Sequence, residues 1–376
     1  MHELELLKEF SAVDSSTLNL EGVALMQNKV EAILGDLGFK VSRLRGEARF
    51  GELILAERPG RSLKFVTLIT HSDTVMPNYR EFALEGEQAF GSGVIDNKGG
   101  LSVGLGAVKR FLKTAKHTEY GLRFVCSPNE EMGSVGFTDL YRKLGQDTVV
   151  ALGLEPALDN GSIIHQRRGN RWYDIEITGR EAHAGRSYGE HANAAHDLAK
   201  KLVKLSKLTN YKKDLSVSAG HIEGGKNRHN IICGSARLKL DVRFPSMITR
   251  DKLHGKIVKI LSKPGEISPS KKFKTETRFE IVDDCPPFSL TRRSKKLAAE
   301  YAQSLSQLEG RKVRSEPSGG AGDVNYLSTK DNFVLDGLGP VGGNMHTHHE
   351  FIRISTLESR ARALADFLAY LQKKTL

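Results

Sequence analysis

Four apolar runs, at residues 62–70, 122–126, 148–154 and 332–335, alternate with stretches near 100–113 and 137–144 whose apolar residues recur at helical spacing. Short apolar runs without polar alternation read as strands buried on both faces, the mark of a largely parallel sheet covered by helices. The expected fold is therefore an α/β doubly wound domain, in which sites form beyond the carboxyl ends of the strands. Two further helices, about 3–10 and 21–37, precede it.

From about Arg171 the pattern changes. Residues 172–178 alternate as a half-buried strand, and 191–208 form an amphipathic helix. Strands at 215–222 and 236–244, a helix near 248–261 and a strand near 274–281 follow. That β-α-β-β-α-β order is a split βαβ, ferredoxin-like α+β domain inserted into the larger one. The expected division is 1–168, 169–282 and 283–376, the outer two segments forming one domain. A chain of 376 residues is long for a single core.

Composition narrows the class. Hydrophobic residues make up 39%, and no apolar stretch reaches the roughly 20 residues a membrane helix needs. The first residues lack the basic-then-apolar order of a signal peptide, so a cytoplasmic location is expected, or a periplasmic or secreted one if a signal has been removed. Three scattered cysteines, Cys126, Cys233 and Cys285, suit reduced packing thiols better than a disulfide framework. The net charge of +11 raises nucleic acid as a partner. However, the lysines lie on helical faces (Lys200, Lys204, Lys207) or in a loop (Lys271, Lys272, Lys274), with only Tyr211 and Phe273 among them. That is no stacking platform, so neither nucleic acid nor membrane is expected, although anionic substrates would be attracted.

Metal-binding side chains recur near the ends of the apolar runs. Glu130 and Glu131 follow 122–126, where adjacent side chains diverge, so that one carboxylate can bind a metal while the other acts as a base. His71 and Asp73 end 62–70, and the aspartate is placed to orient the imidazole. Asp96 follows Gly91-Ser-Gly-Val-Ile, Glu155 precedes Pro156, and His346 and Glu350 stand in a late histidine-rich stretch. Each has a plainer reading: a hydrogen-bonded histidine, a helix cap, a strand end, a solvated loop. Their coincidence at one end of one sheet favours a metal hydrolase, and mixed histidine and carboxylate ligands suit zinc.

Taken together, His71-x-Asp73-Thr-Val, Gly-x-Gly-x-x-Asp96-x-Lys-Gly-Gly, Glu130-Glu131-x-Gly-Ser, Glu155-Pro and His346-x-x-x-Glu350 resemble the dizinc exopeptidases and deacylases. That family includes glutamate carboxypeptidase, acetylornithine deacetylase and succinyl-diaminopimelate desuccinylase. The likeness runs from about residue 20 to the C-terminus and is strongest to the glutamate carboxypeptidase branch. It implies that Asp96 bridges two Zn2+ ions per subunit (Co2+ or Mn2+ being alternatives), with His71 and Glu155 completing one site and Glu131 and His346 the other. It also implies Glu130 as general base and Asp73 as the partner of His71.

In the inserted domain, Thr178-Gly-Arg-Glu-Ala-His183 resembles the family's lid histidine, which stabilises an oxyanion and in dimers reaches the neighbouring subunit's site. Read alone, His183 is a loop histidine, as consistent with a structural role. Asn230 and Arg243 match residues that grip a substrate carboxylate, whereas Arg243 alone reads as a surface ion-pair residue. Gly320 and Asp323 belong to a Gly-rich loop expected near substrate. Three implications follow: a homodimer through the inserted domain, a small peptide or N-acyl amino acid as substrate, and cleavage of an amide bond beside a free carboxylate. A deacylase of N-acyl amino acids is the alternative, and a non-catalytic binding protein a more distant one. Cys233 replaces a usual proline. Arg167 and Arg168 replace small residues, as hinge surface charges or as contacts to an anionic substrate group.

Overall fold

The computed structural model describes residues 3–115, 117–186, 189–289 and 291–375. Along the chain come α1 (Glu3–Ser11), α2 (Leu20–Asp36), β1 (Lys40–Leu44), β2 (Leu53–Arg58), β3 (Phe65–His71), β4 (Ala83–Glu85), β5 (Gln88–Phe90) and α3 (Lys98–Thr114). Next are β6 (Gly121–Ser127), α4 (Thr138–Gly145), β7 (Thr148–Gly153), β8 (Ile163–Arg167), β9 (Gly169–Thr178), α5 (Ala194–Ser206), β10 (Ser216–Gly224) and β11 (Ser235–Phe244). The remainder is α6 (Met247–Leu261), β12 (Glu276–Cys285), α7 (Arg292–Glu309), β13 (Ser315–Ser318), β14 (Phe333–Leu335), β15 (Gly342–Gly343), β16 (Phe351–Arg353) and α8 (Ser355–Leu371).

The chain divides into two units, Met1–Arg167 with Ser289–Leu376, and Arg168–Phe288. The second crossing falls after Phe288 rather than at 282/283, because β12 runs on to Cys285 as the last strand of the inserted sheet.

In the larger unit the sheet order is β1-β2-β6-β3-β7-β14. The four strands expected from apolar runs are its parallel members, and β1 and β2 add an antiparallel edge. Every residue of β6 is buried, and burial of Leu122, Phe124 and Val125 is worth about 1.5–3 kcal/mol each. The helical layer of α1, α3, α7 and α8 supplies Phe10, Leu101, Val108, Leu305, Leu364 and Leu368 to the same core. Gly100 lets α3 approach closely: a Cβ there would stand 1.9 Å from the Leu154 carbonyl oxygen. A second small sheet, β15-β16-β5-β4, has strands of two or three residues.

The inserted unit is an antiparallel sheet, β10-β11-β9-β12. Tyr173, Ile175 and Ile177 of β9 and Leu238, Leu240 and Val242 of β11 alternate inward, against Leu198 and Leu205 of α5 and Leu253 and Ile257 of α6. This one-sided burial is the expected economy of an antiparallel sheet. Asn193 caps α5 and Ser246 caps α6 through their side chains. Cys126 and Cys285 are buried free thiols, and Cys233 is half-buried. Among the described residues, no helix is long and apolar enough to cross a membrane.

Candidate metal centre

Three parallel strands deliver imidazole and carboxylate groups to one end of the large sheet. His71 is the last residue of β3, Glu130 and Glu131 open a 3-10 turn just past β6, and Glu155 lies just past β7. Asp96 and His346 arrive by another route. The sequence pattern set His346 behind the strand at 332–335, but β15 intervenes and the side sheet carries the histidine. Antiparallel pairing of Phe90 in β5 with Phe351 in β16 runs the chain leaving β5 beside the chain entering β16. Two residues 250 apart in sequence, Asp96 and His346, meet there. The Asp96–Asn97 peptide bond is cis, and Asn344 and His346 occupy the left-handed region with φ of 56° and 61°, a conformation that is costly for non-glycine residues and concentrates at functional sites.

His71 Nδ1 lies 3.0 Å from the Asp73 main-chain oxygen and 3.2 Å from Asp73 Oδ1. These two acceptors hold a proton on Nδ1, which leaves Nε2 as the nitrogen that a metal would take on displacing its proton. Nε2 stands 3.1 Å from Asp96 Oδ1 and 3.7 Å from Glu155 Oε1. The other oxygen of Asp96 lies 3.2 Å from His346 Nε2, which is 3.3 Å from Glu131 Oε1. That buried Glu131 oxygen makes no hydrogen bond. Asn97 Nδ2 donates to Glu155 Oε1 at 3.1 Å.

These spacings suit metal ions. Two ligand atoms each about 2.0–2.2 Å from one zinc at a tetrahedral angle stand roughly 3.3–3.5 Å apart. The pairs around His71 (3.1 and 3.7 Å) and around His346 (3.2 and 3.3 Å) bracket that value, with one Asp96 oxygen in each set. The ligand atoms of His71, Asp96 and Glu131 lie within 4.8 Å of one another. The donor set is the mixed imidazole and carboxylate type that holds zinc, cobalt or manganese.

The electrostatics describe a place short of cations. Burial pushes Glu155 up to about 8. It also drives Glu130 well above the usual carboxylate range, reinforced by the charge of Glu155. Burial disfavours a charged His71, yet hydrogen bonds to Asp73 and Asp96 hold it well above the ordinary imidazole value. Hydrogen bonds to Asp96 and Glu131 push His346 up to about 10. Asp96, against the effect of burial, is held below its ordinary value by the two histidines. Protons retained on such ligands are what a divalent cation displaces.

Asp73 is fully buried and supports more than the imidazole: Oδ1 accepts the Glu130 main-chain N–H at 3.1 Å, and Oδ2 accepts that of Glu131 at 3.3 Å and the Thr17 hydroxyl at 2.8 Å. The Gly-rich loop borders the same place, since a Cβ on Gly322 would lie 3.6 Å from Glu155 Cγ and 3.9 Å from Glu130 Oε1. Asp323 is buried against Ser134, whose hydroxyl donates to Oδ1 at 2.6 Å; Oδ2 is unpartnered, and burial raises this carboxyl to about 6. Gly320 is exposed, and its carbonyl accepts from Arg167 Nη1 at 3.2 Å. Arg167 is not a surface charge. It is buried, with Nε donating to Asp336 Oδ2 at 2.6 Å. Arg168 faces Asp214 in the inserted unit at 3.7 Å.

Within the inserted unit His183 and Asn230 are neighbours and both exposed: His183 bridges Ile231, and Ala184 N–H donates to the Asn230 carbonyl at 3.1 Å. Arg243 is set apart. It sits near the far end of β11, opposite Asn170, paired with Asp241. At about 3.3 Å per residue the ladder puts it roughly 26 Å from Ser235, the end of β11 that the loop bearing Asn230 enters. The sequence reading missed Glu350 as an anchor and Asn97 as the support of Glu155. The His346-x-x-x-Glu350 spacing was the available signal for the first.

Comparison with known proteins agrees with this geometry. Residues 67–370 match Peptidase family M20/M25/M40. Carboxypeptidase G2 of Pseudomonas sp. (strain RS-16) is 27% identical over 366 residues, covering 95% of this chain and 86% of that one. Succinyl-diaminopimelate desuccinylase of Vesicomyosocius okutanii is 24% identical over 399 residues, covering 99% of each. A tripeptidase of Staphylococcus aureus has a similar fold, with a TM-score of 0.79 at 19% identity and coverage of 99% and 98%.

Proposed function

The chain belongs to peptidase family M20/M25/M40, and from that premise we propose that this hydrolase is a dizinc carboxypeptidase cleaving an amide bond next to a free carboxylate. What carries the reading is Asp96, whose two oxygens face two histidines, each joined by a further carboxylate at ligand spacing. His71, Asp96 and Glu155 would hold one ion, and His346, Asp96 and Glu131 the other. Two bound divalent cations would supply Lewis acidity, polarising the scissile carbonyl and making water acidic enough to attack near neutral pH.

Glu130 is the base of this scheme. It takes the proton of the attacking water as the oxygen bonds to the carbonyl carbon, then passes it to the amine nitrogen as the C–N bond breaks. A carboxyl raised by burial matches such a proton shuttle. Asp73 holds the turn that carries Glu130. His183 and Asn230, side by side, would serve the oxyanion and the substrate together, and Arg243 would meet a substrate carboxylate separately. In a homodimer through the inserted domain, the two groups could come from different subunits. Gly320 and Asp323 would border the substrate.

The full-length match to a desuccinylase supports a second reading, deacylation of an N-acyl amino acid. Hydrolysis of a panel of dipeptides and N-acyl amino acids with acidic, basic and apolar C-terminal residues, with Glu130→Ala as the blank, decides between them. Cleavage of peptides names a carboxypeptidase, and cleavage of only small-acyl substrates names a deacylase. No cleavage by protein carrying two ions overturns both.

A further inference from the structure

Glu350 stands four residues after His346 and is 2% exposed. Its Oε1 accepts the main-chain N–H groups of Ile95 at 2.9 Å and Asp96 at 3.1 Å. Its Oε2 accepts the N–H of Gly93 at 3.0 Å and the Tyr79 hydroxyl. One carboxylate thus takes four donors, three of them from the turn that presents Asp96. The loop reaching back to His346 is closed on itself by Thr347 Oγ1 to the Asn344 carbonyl at 2.7 Å, Asn344 Nδ2 to the His349 carbonyl at 3.2 Å and Glu350 N–H to the Thr347 carbonyl at 3.2 Å. Glu350 therefore anchors the His346 loop and the Asp96 turn to each other.

The two halves of the centre are supported differently. His71 is buried and steered through its own second nitrogen by Asp73, and Glu155 by Asn97. The His346 side chain is 46% exposed, and among the described residues its Nδ1 has no hydrogen-bond partner. The position of His346 depends on its loop, and the buried anchor of that loop is Glu350.

We propose that Glu350 is a positioning residue for the half of the centre formed by His346, Glu131 and Asp96, and that it sets the affinity of that half for a divalent cation while leaving the His71 half largely unchanged. This rests on the reading of those residues as metal ligands. Glutamine at 350 is a severe test despite its size, because one orientation of the amide turns its NH2 group towards the Ile95 and Asp96 N–H groups and the other turns it towards the Gly93 N–H. Partners of this kind are worth about 10–100-fold in metal affinity.

The test is a titration of the chelator-stripped full chain with Co2+, followed by visible absorption, and with Zn2+ by competition with an indicator. Wild type is expected to take two ions per chain. Because Asp96 is common to both halves, Glu350→Gln is expected to take the first ion with only a small loss of affinity, and the second about 10–100-fold more weakly, following the pattern of His346→Ala. Tyr79→Phe removes one donor and leaves the carboxylate, so it should weaken the second ion less and in the same half. A folded Glu350→Gln that takes both ions as wild type does, or loses both equally, overturns the proposal. If that variant does not fold, an unchanged second ion in Tyr79→Phe overturns it instead. A wild-type chain that takes fewer than two ions refutes the metal reading itself, and the proposal falls with it.

Discussion

Asp73 and Glu130 are joined directly: the Glu130 main-chain N–H donates to Asp73 Oδ1 at 3.1 Å, so the carboxylate that orients His71 also holds the turn bearing the proposed base. Asparagine at 73 keeps the size but replaces one acceptor oxygen with a donor, set against the N–H of Glu130 or of Glu131. Asp73→Asn should weaken metal binding about 10–100-fold and should also lower turnover after full metal loading is restored. Zinc dissociation constants together with kcat at saturating zinc check this. An unchanged kcat at full loading would show that Asp73 acts through His71 alone.

The two neighbouring glutamates should separate cleanly. Glu130→Ala is expected to keep its metal and lose about two to four orders of magnitude in turnover. Glu131→Ala is expected to lose metal instead, since its unpartnered Oε1 lies 3.3 Å from His346. Elemental analysis beside kcat for both variants is the measurement. Equal metal loss in the two would remove the distinction.

Metal-free protein should lose stability as pH rises. Without a cation Glu155 is pushed up to about 8 and His346 to about 10, from ordinary values of 4.5 and 6.5. Over that window the native chain keeps protons that the unfolded chain has released, so unfolding becomes more favourable with rising pH. The contribution of Glu155 is complete below about 4.5 and gone above about 8, and that of His346 is complete below about 6.5 and gone above about 10. Asp96 is shifted the other way, and its window lies below pH 3.8. The Tm of chelated protein should therefore fall from pH 6 to 10, and saturating Zn2+ should flatten or reverse the fall, because metal competes with those protons. A Tm that rises over this range without metal would contradict the assignment.

What could be read in the chain followed from physical scale. The β6 and β7 runs show themselves because a strand buried on both faces is largely apolar, and His71, Glu130 and Glu155 stand at or just past the ends of such strands. His346 is harder, because its approach to Asp96 is made by strands of two or three residues, too short for any periodicity to reveal. Glu350 was visible only as a spacing, since three of its four donors are main-chain N–H groups, which every residue but proline carries. Arg167 beside Arg168 looks like a surface pair. The buried acceptor that makes the difference, Asp336, is 169 residues away.

Arg167 gives the last prediction. Its guanidinium bonds Asp336 at 2.6 Å and the Gly320 carbonyl at 3.2 Å, tying the end of β8 to the residue after β14 and to the Gly-rich loop. Without it Asp336, fully buried, keeps the Gly337 N–H at 2.7 Å as its remaining donor. Breaking a buried pair from one side costs about 3–5 kcal/mol, most of it the charge left unpaired, whereas removing both charges together is often nearly neutral. Arg167→Met should therefore lower Tm markedly, and adding Asp336→Asn should recover part of the loss. The Gly320 anchor is absent from both variants, so a raised KM should persist in the double variant even as stability returns. Recovery of KM along with Tm would mean that Arg167 serves stability alone and leaves the loop where it is.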